Sequence, residues 1–493
     1  MKKQFLLRSA IVASLGGLLF GFDTAVISGA EQALQELFSG TYDWLAAGMS
    51  SFGFLGSTGF WHGCTTASAL IGTIVGAWLA SKPSDAFGRR KTLSGLAVLY
   101  FVSAVGSAFA WNWASFVIAR FIGGLAVGGS SVVGPIYIAE ISPAKSRGRL
   151  VALMQFNIVL GILLAFLSNY IIGTMSLGEI EWRWMFGVEA FPAAAFFLFL
   201  FTTSLSPRWL MIKGKENQAR TAMARLGADN IEQEMKDIQE SLDLAHHAGR
   251  EPFFRMIYIK PIMLAFLIAA FNQLSGINAL LYYSKRIFEM AGATGSSALQ
   301  QSVIVGATNL IFTMLAMTVI DHFGRKKLML VGSVGYILSL STAAWAFYTE
   351  MGGMLVLVSF MVFIASHAFG QGAVIWVFIS EIFPNRIRAK GQALGSFTHW
   401  FMCALIAWTF PMMVGKPDAP GANQAGGRVF AFYAAMMVLQ LLWVIFMMPE
   451  TKGVPLEQIQ KRLGIGRAVL DTSHAVSVDA YTHALNELDK KKS

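Results

Sequence analysis

Three ionisable side chains lie inside long apolar segments of this sequence, where an unpaired charge is costly. Asp23 falls in the stretch LLFGFDTAVISGA, and Arg120 and Glu189 lie in two later apolar segments. A carboxylate at the centre of a bilayer costs about 2.5 to 3.5 kcal/mol on insertion scales, so an ionisable residue in a membrane span predicts a function by default. Such a side chain needs a partner of opposite charge or a hydrogen-bonding group. Which group lies close enough depends on the helices that carry the two residues.

The composition is that of an integral membrane protein. Of the 493 residues, 55% are hydrophobic and 13% are charged, whereas about 25% charged residues is usual in a soluble domain. Twelve apolar segments are long enough for membrane-spanning helices of about 20 residues. They cover 9–30, 59–81, 91–112, 113–139, 150–173, 184–205, 259–284, 300–320, 327–349, 354–380, 391–415 and 427–448. We therefore predict an all-α integral membrane protein with twelve transmembrane helices, the first of which is not cleaved.

The basic residues are distributed unevenly between the two sides of the predicted bundle. If the N-terminus is cytoplasmic, five of the 38 Lys and Arg residues fall on the outer side. They are Arg183, Lys285, Arg286, Lys416 and Arg428. This asymmetry is the positive-inside pattern, and an even number of spans then places both termini in the cytoplasm. The formal net charge of +10 follows from this topology, so no nucleic-acid partner is predicted.

The two cysteines, Cys64 and Cys403, lie far apart in the sequence and within predicted spans. Cysteines of this kind are ordinary small buried side chains, and neither a disulfide framework nor a metal site is predicted from them. No cofactor is expected.

The first and fourth predicted spans carry their charges at a similar depth. At about 1.5 Å per residue, Asp23 lies roughly 10 Å below the outer end of its span, and Arg120 lies roughly 10 Å below the outer end of span four. One acid and one base at one depth of a bundle predict a buried ion pair. Glu189, about 8 Å below the outer end of span six by the same measure, is the candidate third member.

Two sequence blocks occur twice in the same order. DAFGRRK at 85–91 returns as DHFGRKK at 321–327, and IAEISPAKSRGR at 138–149 returns as ISEIFPNRIRAK at 379–390. Matched blocks at matched spacing predict a duplicated six-span half. A parallel repeat of this kind is found in major facilitator transporters, which bind substrate between the halves.

The repeated blocks carry acids and bases that suit ion pairs on the cytoplasmic face. Such pairs can hold one conformation closed and break in the other. Alternatively, the cations only set the topology. With the acid of a later PETKG motif, the predicted cytoplasmic latch residues are Asp85, Arg89, Glu140, Arg147, Asp321, Arg325, Glu381, Arg388 and Glu450.

Together these motifs resemble the sugar porter family of the major facilitator superfamily. The resemblance is carried by the two GR(R/K) loops and by PIYIAEISPAKSRGR (135–149), SPRWL (206–210), NQLSGINALLYY (272–283), WVFISEIFPNRIRAK (376–390) and PETKG (449–453). The FGFDTAVISG opening is most similar to that of the bacterial xylose– and hexose–proton symporters. The resemblance covers about 15–453. It implies a major facilitator fold of two six-helix bundles and a monosaccharide carrier that works by alternating access.

The resemblance also implies the organisation of the chain. We expect an N-terminal bundle at 1–205, cytoplasmic linker helices at 206–258, a C-terminal bundle at 259–448 and a cytoplasmic tail at 449–493. The expected partners are a pentose or hexose, a proton and the lipid bilayer of the inner membrane, and the protein is expected to function as a monomer. No catalytic constellation is found in the sequence, so an enzyme is not predicted.

The resemblance places a sugar site on amides and indoles of both halves. The implied substrate contacts are Gln155, Asn272, Gln273, Asn278, Asn309, Trp376, His399 and Trp400. Side-chain amides match hydroxyls that both donate and accept hydrogen bonds, and an indole covers the apolar face of a sugar. Tyr282 and Tyr283 suit a gate on the outer half of span seven. For any single amide, the alternative is a contact between helices.

The sequence departs from the family pattern at positions that contact the ligand. Asn272 replaces the first residue of a Gln-Gln pair, His399 replaces an amide, and Ile162 lies where xylose–proton symporters carry a glutamine. Leu205 replaces the acid of a PESPR motif, which predicts a weaker inner ion-pair network on the N-terminal half. The resemblance therefore does not predict which sugar this protein binds.

In the resembling proton symporters, the acid that matches Asp23 accepts the proton and the base that matches Arg120 tunes it. The expected cycle pairs Arg120 with ionised Asp23, and protonation from outside breaks the pair. Glu189 is expected to be a structural or modulating acid. The alternatives are a purely structural ion pair, a proton-independent facilitative uniporter and a transporter-like sugar sensor.

Overall fold

The structure is a computed structural model that describes residues 2–143, 146–228, 230–247, 252–384, 386–417 and 419–465. Within these residues every regular element is a helix, so the all-α prediction is confirmed. The helices of the N-terminal half are α1 (Lys2–Leu37), α2 (Ser39–Gly48), α3 (Thr58–Leu79), α4 (Ser81–Phe87), α5 (Arg89–Ala108), α6 (Trp113–Ile141), α7 (Arg147–Thr174), α8 (Glu181–Gly187) and α9 (Ala190–Leu200).

Three short helices join this half to the second one. They are α10 (Pro207–Ile212), α11 (Glu216–Leu226) and α12 (Ile231–His247). The C-terminal half contains α13 (Ile259–Leu274), α14 (Ile277–Met290), α15 (Gly295–Phe323), α16 (Arg325–Tyr348), α17 (Met354–His367), α18 (Ala373–Ile382), α19 (Arg388–Val414) and α20 (Ala422–Phe446). The last described helix is α21 (Leu456–Arg462), and most of the predicted tail, 466–493, lies outside the described residues.

The described helices account for the twelve predicted spans. Eleven helical segments are long and apolar enough to cross a membrane, and α3 with α4, bent by 46° at their junction, makes a twelfth. The first helix continues to Leu37, beyond its predicted end at residue 30. Span six covers Gly178–Leu200 and begins earlier than predicted.

Besides the bend between α3 and α4, three spans are interrupted, each beside a polar side chain. Span seven breaks between α13 and α14 at Gly276, whose φ of +84° is the left-handed conformation that glycine adopts most readily. Span six breaks between α8 and α9 at Glu189. Span ten contains a π-helical turn, Ala368–Gly372, that holds Gln371. Breaks of this kind free backbone groups and re-aim side chains, and they are common at functional sites.

Glycines allow α3 and α6 to pack backbone against backbone. A Cβ atom built on Gly124 would lie 1.9 Å from the backbone oxygen of Ala69, and one built on Gly72 would lie 2.2 Å from that of Phe121. Gly76 and Gly128 meet the opposite helix in the same way, one turn further on. Small residues at such spacing let membrane helices approach closely.

Gly124→Ala is expected to destabilise the protein, because the added methyl overlaps a backbone oxygen that has no alternative position. Overpacking of this kind costs about 1–3 kcal/mol or more. Gly95→Ala is the matched control, since Gly95 is an exposed helical glycine and a methyl group added there would have no atom within 4 Å. Thermal unfolding of the detergent-purified variants should show a lower Tm for Gly124→Ala alone. Equal Tm values would contradict the close approach of α3 and α6.

Candidate functional site

Asp23 and Arg120 form a buried ion pair between α1 and α6. Arg120 Nη1 donates to Asp23 Oδ1 at 2.5 Å, and Nη2 donates to Oδ2 and to the backbone oxygen of Asp23, each at 3.2 Å. Both side chains are buried, and the guanidinium carbon lies 5.1 Å from the centre of the Phe186 ring. The two charges assigned to one depth are therefore in direct contact.

The start of α6 accounts for the depth of Arg120. Asn112 Oδ1 accepts the backbone N–H of Ser115 at 2.8 Å, and Ser115 Oγ accepts the N–H of Asn112 at 3.2 Å. This capping box defines where the helix begins. Arg120 follows two turns later, about 12 Å along the axis from the cap, opposite the carboxylate of Asp23.

Glu189 is a second buried acid beside this pair. It lies at the break between α8 and α9, it is 2% exposed, and it interacts electrostatically with both Asp23 and Arg120. Its Oε1 atom has no hydrogen-bond partner among the residues that the structure describes. An unpaired buried oxygen is rare, and such atoms are associated with strain or with a functional role.

The amides of the predicted sugar site cluster at the break in span seven. Asn278 Nδ2 donates to Gln273 Oε1 at 2.6 Å, and Gln273 Nε2 donates to Asn272 Oδ1 at 2.8 Å. Gln273 Nε2 also lies 3.2 Å from His399 Nδ1. The turn at Gly276 makes this cluster possible, because it brings Asn278 back toward the end of α13. A Cβ at Gly276 would lie 2.4 Å from the Tyr433 ring.

An aromatic wall adjoins the amide cluster. The His399 ring lies 5.3 Å from the Trp376 ring and 5.0 Å from the Trp400 ring. Trp400 in turn lies 5.4 Å from Phe20 of α1, measured between ring centres. This contact joins the two halves, so the amides and indoles lie at the interface between them.

Gln155 and Asn309 lie on the facing helices α7 and α15. Gln155 is half-buried, whereas Asn309 is buried and accepts a hydrogen bond from Thr313 Oγ1 at 3.3 Å. Neither side chain bonds to the amides of α13 and α14 among the described residues. Ile162 is buried on α7, so an apolar side chain occupies this part of the interface.

Tyr283 closes the side of the interface that the positive-inside pattern predicts to face outward, which we call the outer side. Its hydroxyl donates to the backbone oxygen of Ala407 at 2.7 Å and lies 2.6 Å from Thr66 Oγ1, and its ring stacks on Phe410 at 4.8 Å. Tyr283 has the non-helical backbone angles φ −124° and ψ 23°, which mark a kink in α14. The neighbouring Tyr282 is also buried.

A buried cluster of charges lies further out, and no sequence pattern predicted it. Arg286 of α14 donates from Nε to Glu31 Oε1 at 2.9 Å and from Nη2 to Glu31 Oε2 at 2.7 Å. His62 Nε2 of α3 lies 2.9 Å from Glu31 Oε2. All three side chains are 0% exposed. We call Glu31, His62 and Arg286 the outer lock, because Arg286 links one half of the protein to two helices of the other.

The outer ends of α3 and α19 also touch directly. A Cβ built on Gly63 would lie 2.0 Å from the backbone oxygen of Trp408, and Trp408 Nε1 donates to the backbone oxygen of Phe60 at 3.0 Å. Arg286 Nη1 adds a hydrogen bond to the backbone oxygen of Gly415 at 2.6 Å. The outer side of the interface is therefore closed.

On the inner side, the first of the predicted latch networks stays within the N-terminal half. Arg89 pairs with Glu140 at 2.9 Å and with Asp85 at 3.0 Å, and Ser206 Oγ donates to Glu140 at 2.5 Å. Arg147 Nε donates to the backbone oxygen of Ala139 at 3.1 Å rather than to a carboxylate.

The second inner network stays within the C-terminal half. Arg325 pairs with Glu381 at 2.8 Å, and Thr451 Oγ1 donates to the other carboxylate oxygen of Glu381 at 2.6 Å. The Nε and Nη2 atoms of Arg388 are buried without a hydrogen-bond partner among the described residues. The side chain of Asp321 lies outside the part of the chain that the structure describes.

Glu450 caps the start of α16 with its carboxylate. Burial raises the pKa of Glu450, but the backbone N–H groups of Lys452, Arg325, Lys326 and Thr451 outweigh that effect and leave the pKa below its ordinary value. In the N-terminal half, Leu205 stands in the place of this acid. Among the described residues, no side chain caps the start of α5 at Gly88.

Among the described residues, every ion pair that joins the two halves lies on the outer side. The inner networks of the described residues do not cross the interface, so the ion pairs between the halves close the polar site on the outer side. Two six-helix halves with a polar site at their interface, closed on one side, define a membrane transporter of the alternating-access type.

Comparison with known proteins identifies the family. Residues 9–463 match the family described as "Sugar (and other) transporter", and the chain belongs to this family. It is similar to the D-xylose-proton symporter of Escherichia coli K12, with 38% identity over 480 residues, 93% of this chain and 95% of that protein. It is also 35% identical to the arabinose-proton symporter of Bacillus subtilis, over 93% of this chain and 95% of the relative.

Solved structures agree with the major facilitator fold. The inward-open conformation of the E. coli xylose transporter XylE matches with a TM-score of 0.80 and 36% identity, over 93% of this chain and 99% of that one. XylE bound to 6-bromo-6-deoxy-D-glucose matches with a TM-score of 0.75 and 37% identity, over 94% of this chain and all of that one.

Proposed function

We propose that this protein is a monosaccharide–proton symporter of the inner membrane that works by alternating access. The observation that carries the proposal is the buried Asp23–Arg120 ion pair. It lies in the N-terminal half, and a site of amide and aromatic side chains lies at the interface between this half and the other. Relatives that bear the names of xylose– and arabinose–proton symporters support both the class of substrate and the coupling ion.

Asp23 is the proposed proton site, and Arg120 is its partner. When Asp23 is ionised, the pair is neutral as a whole and tolerates burial. A proton taken up from the outer side neutralises Asp23 and releases Arg120 from its carboxylate. The contact between the two residues at 2.5 Å corresponds to the state after proton release. Glu189 is proposed as a modulating acid, because its unpaired oxygen can accept from Arg120 once Asp23 is protonated.

The proposed sugar site uses amides for the hydroxyls and indoles for the apolar face of the ring. Asn272, Gln273 and Asn278 are already joined by hydrogen bonds, and His399 adjoins them. The remaining proposed contacts are Gln155, Asn309, Trp376 and Trp400. A site of pre-bonded amides is preorganised, which lowers the entropy lost on binding.

Two bundles, 1–205 and 259–448, are proposed to move against each other around this site. The outer lock, with Tyr282 and Tyr283, holds the outer side closed in the described state. The inner networks are proposed to join the halves when the inner side closes. Each network then exchanges partners with the other half, so the charged residues remain paired in both states.

Uptake into proteoliposomes tests the function. We expect a pentose or hexose from a panel to enter, and to accumulate above its outside concentration when the outside is acidified. Sugar entry without pH-driven accumulation would instead identify a uniporter. Absence of flux for every sugar would contradict transport of monosaccharides.

Gln273→Ala and Asn278→Ala are each expected to weaken sugar binding by about 1–3 kcal/mol, because a lost amide leaves a sugar hydroxyl unpaired in a dry site. Isothermal calorimetry on purified protein measures the change. Gln301→Ala is the control, since Gln301 is a half-buried amide of α15 that bonds Ser297 and is not proposed to touch sugar. If both test variants bind sugar with wild-type affinity, α14 and the end of α13 do not contribute to the sugar site.

A further inference from the structure

We propose that a buried chain of five side-chain amides, anchored at Ser333, determines which hydrogen-bonding atoms the sugar site presents to its substrate. This inference rests on the proposed function. Three residues of the chain, Ser333, Gln371 and Gln440, are not substrate contacts in the proposed site. We assign them as positioning residues, which act on the sugar through the amides of α13 and α14.

The chain begins far from the pocket, on α16. Ser333 Oγ donates to the backbone oxygen of Met329 at 2.7 Å. Gln440 Nε2 of α20 donates to Ser333 Oγ at 2.8 Å. Gln371, in the π-helical turn of span ten, donates from Nε2 to Gln440 Oε1. Three helical segments of the C-terminal half are joined in this way.

The chain then continues to the sugar site. Asn272 Nδ2 donates to Gln371 Oε1 at 3.3 Å, and Gln273 Nε2 donates to Asn272 Oδ1 at 2.8 Å. Asn278 Nδ2 donates to Gln273 Oε1 at 2.6 Å. Every amide thus donates in the same direction, away from the pocket and toward Met329.

Burial makes this direction a property of the fold. Ser333, Gln371, Gln440 and Gln273 are all 0% exposed, so water cannot replace a missing partner. A backbone oxygen only accepts hydrogen bonds, and the Ser333 hydroxyl must therefore donate to Met329. The lone pairs of that hydroxyl then accept from Gln440. Reversing any one amide would place two oxygens or two NH₂ groups face to face, which costs a buried hydrogen bond at each end.

The pocket end of the chain consequently has a fixed polarity. Asn278 Nδ2 donates to Gln273 Oε1, which leaves Asn278 Oδ1, for which no partner is found among the described residues, as the acceptor at this end of the chain. The second hydrogen of Gln273 Nε2 faces His399, whose Nδ1 lies at 3.2 Å and whose Nε2 lies at 3.5 Å. We assign the nearer nitrogen, Nδ1, as the acceptor, and the ring hydrogen is then on Nε2. The site therefore offers an acceptor at Asn278 and a donor at His399. A substrate hydroxyl that contacts Asn278 Oδ1 must donate, because a carbonyl oxygen only accepts.

Binding of fluorinated sugars tests this polarity, because fluorine in place of a hydroxyl does not donate a hydrogen bond. The probes are the deoxy and the deoxyfluoro derivatives of one transported sugar, modified at each hydroxyl in turn. In the wild type we expect one position at which both changes weaken binding by about tenfold or more. In Ser333→Ala, Gln440 loses its acceptor and the chain is free to reverse. The fluorine penalty at that position should then fall to about threefold or less.

Ser333→Thr should restore the wild-type pattern, because it keeps the hydroxyl that anchors the chain. Gln440→Met removes the next link and should match Ser333→Ala, which tests the inference even if Ser333→Ala does not fold. Gln301→Met is the control, and the fluorine penalty in this variant should equal that of the wild type. Folding is checked by size-exclusion chromatography, and affinities are measured by calorimetry.

Two outcomes distinguish failure of the inference from failure of the function. If the wild type binds sugar and the folded Ser333→Ala and Gln440→Met variants keep its fluorine penalties at every position, the chain does not set the polarity and the inference is overturned. If the wild type binds none of the parent sugars, the proposed function itself is overturned, and the inference with it.

Discussion

Asp23→Asn is expected to abolish pH-driven sugar accumulation while leaving sugar exchange between equal pools intact. Asparagine keeps the size of the protonated side chain but cannot carry a proton from one side to the other. With no proton to couple, the accumulation ratio should fall to about one. Arg120 also loses its carboxylate, and removing one partner of a buried ion pair costs up to about 3–5 kcal/mol. A lower Tm should therefore accompany the loss of coupling.

Proteoliposomes with an acidified exterior measure accumulation, and counterflow of labelled sugar measures exchange. Glu189→Gln is the matched control, because it removes another buried carboxylate near Arg120 but not the one that contacts it. We expect this control to retain accumulation. Uphill uptake by well-folded Asp23→Asn protein would move the proton site elsewhere, with Glu189 as the next candidate. If the wild type shows no pH-driven accumulation, the ion pair is structural.

Arg286→Met is expected to shift the protein strongly toward an outward-open state. Without Arg286, the carboxylate of Glu31 stays buried in the closed state beside His62 alone, at a cost of about 3–5 kcal/mol. Opening the outer side hydrates that carboxylate and removes the cost. Because about 1.4 kcal/mol changes an equilibrium tenfold, the ratio of outward-open to closed protein should rise by more than about 100-fold. Sugar transport should slow, since the outer side closes rarely.

The shift can be measured by labelling an introduced cysteine. Ala407→Cys lies at the closed outer interface, where Ala407 is buried under Tyr283, and a membrane-impermeant thiol reagent reaches it only when that side opens. Cys64 and Cys403 are first replaced by alanine. Lys416→Met is the control, because Lys416 is exposed and lies outside the outer lock. Adding Glu31→Gln to Arg286→Met should reverse part of the shift. Equal labelling of all variants would refute the outer lock.

The sequence predicted the Asp23–Arg120 contact because both residues are lone charges in long apolar helices. For such residues, depth follows from the rise per residue, and only the rotation of each helix remains undetermined. The capping box at Asn112 makes the start of α6 well defined, which is why the arithmetic succeeds there. The sugar-site residues came from motif resemblance, and their roles remain predictions.

The outer lock was not predicted because Glu31 and Arg286, which form its ion pair between the halves, lie beyond the hydropathic ends of their spans. Glu31 follows the predicted end of span one at residue 30, yet α1 continues to Leu37. Arg286 was counted among the outer-side cations, although it is fully buried. A charge near a span end looks the same in sequence whether it faces water or a partner. Only the packing of the two halves distinguishes these cases.

The amide chain was missed for a related reason. Gln371 and Gln440 are isolated polar residues in apolar spans, and periodicity does not tell which face of a helix they occupy. The π-helical turn that contains Gln371 rotates its side chain relative to a regular α-helix, and no local sequence signal predicts this turn. Gln371 is separated by 99 residues from Asn272 and by 69 residues from Gln440. Hydrogen bonds between residues so far apart in sequence depend on the tertiary structure.

The outer lock has a consequence for the response of the protein to membrane voltage. Glu31 and Arg286 carry opposite charges, so a displacement that carries both in the same direction moves no net charge through the electric field. The Asp23–Arg120 pair is likewise neutral until a proton arrives. A potential of 100 mV does about 2.3 kcal/mol of work on one elementary charge that crosses the membrane. The membrane potential does this work in the step that carries the proton. Voltage should therefore accelerate the movement of the loaded carrier and leave the return of the empty carrier nearly unaffected.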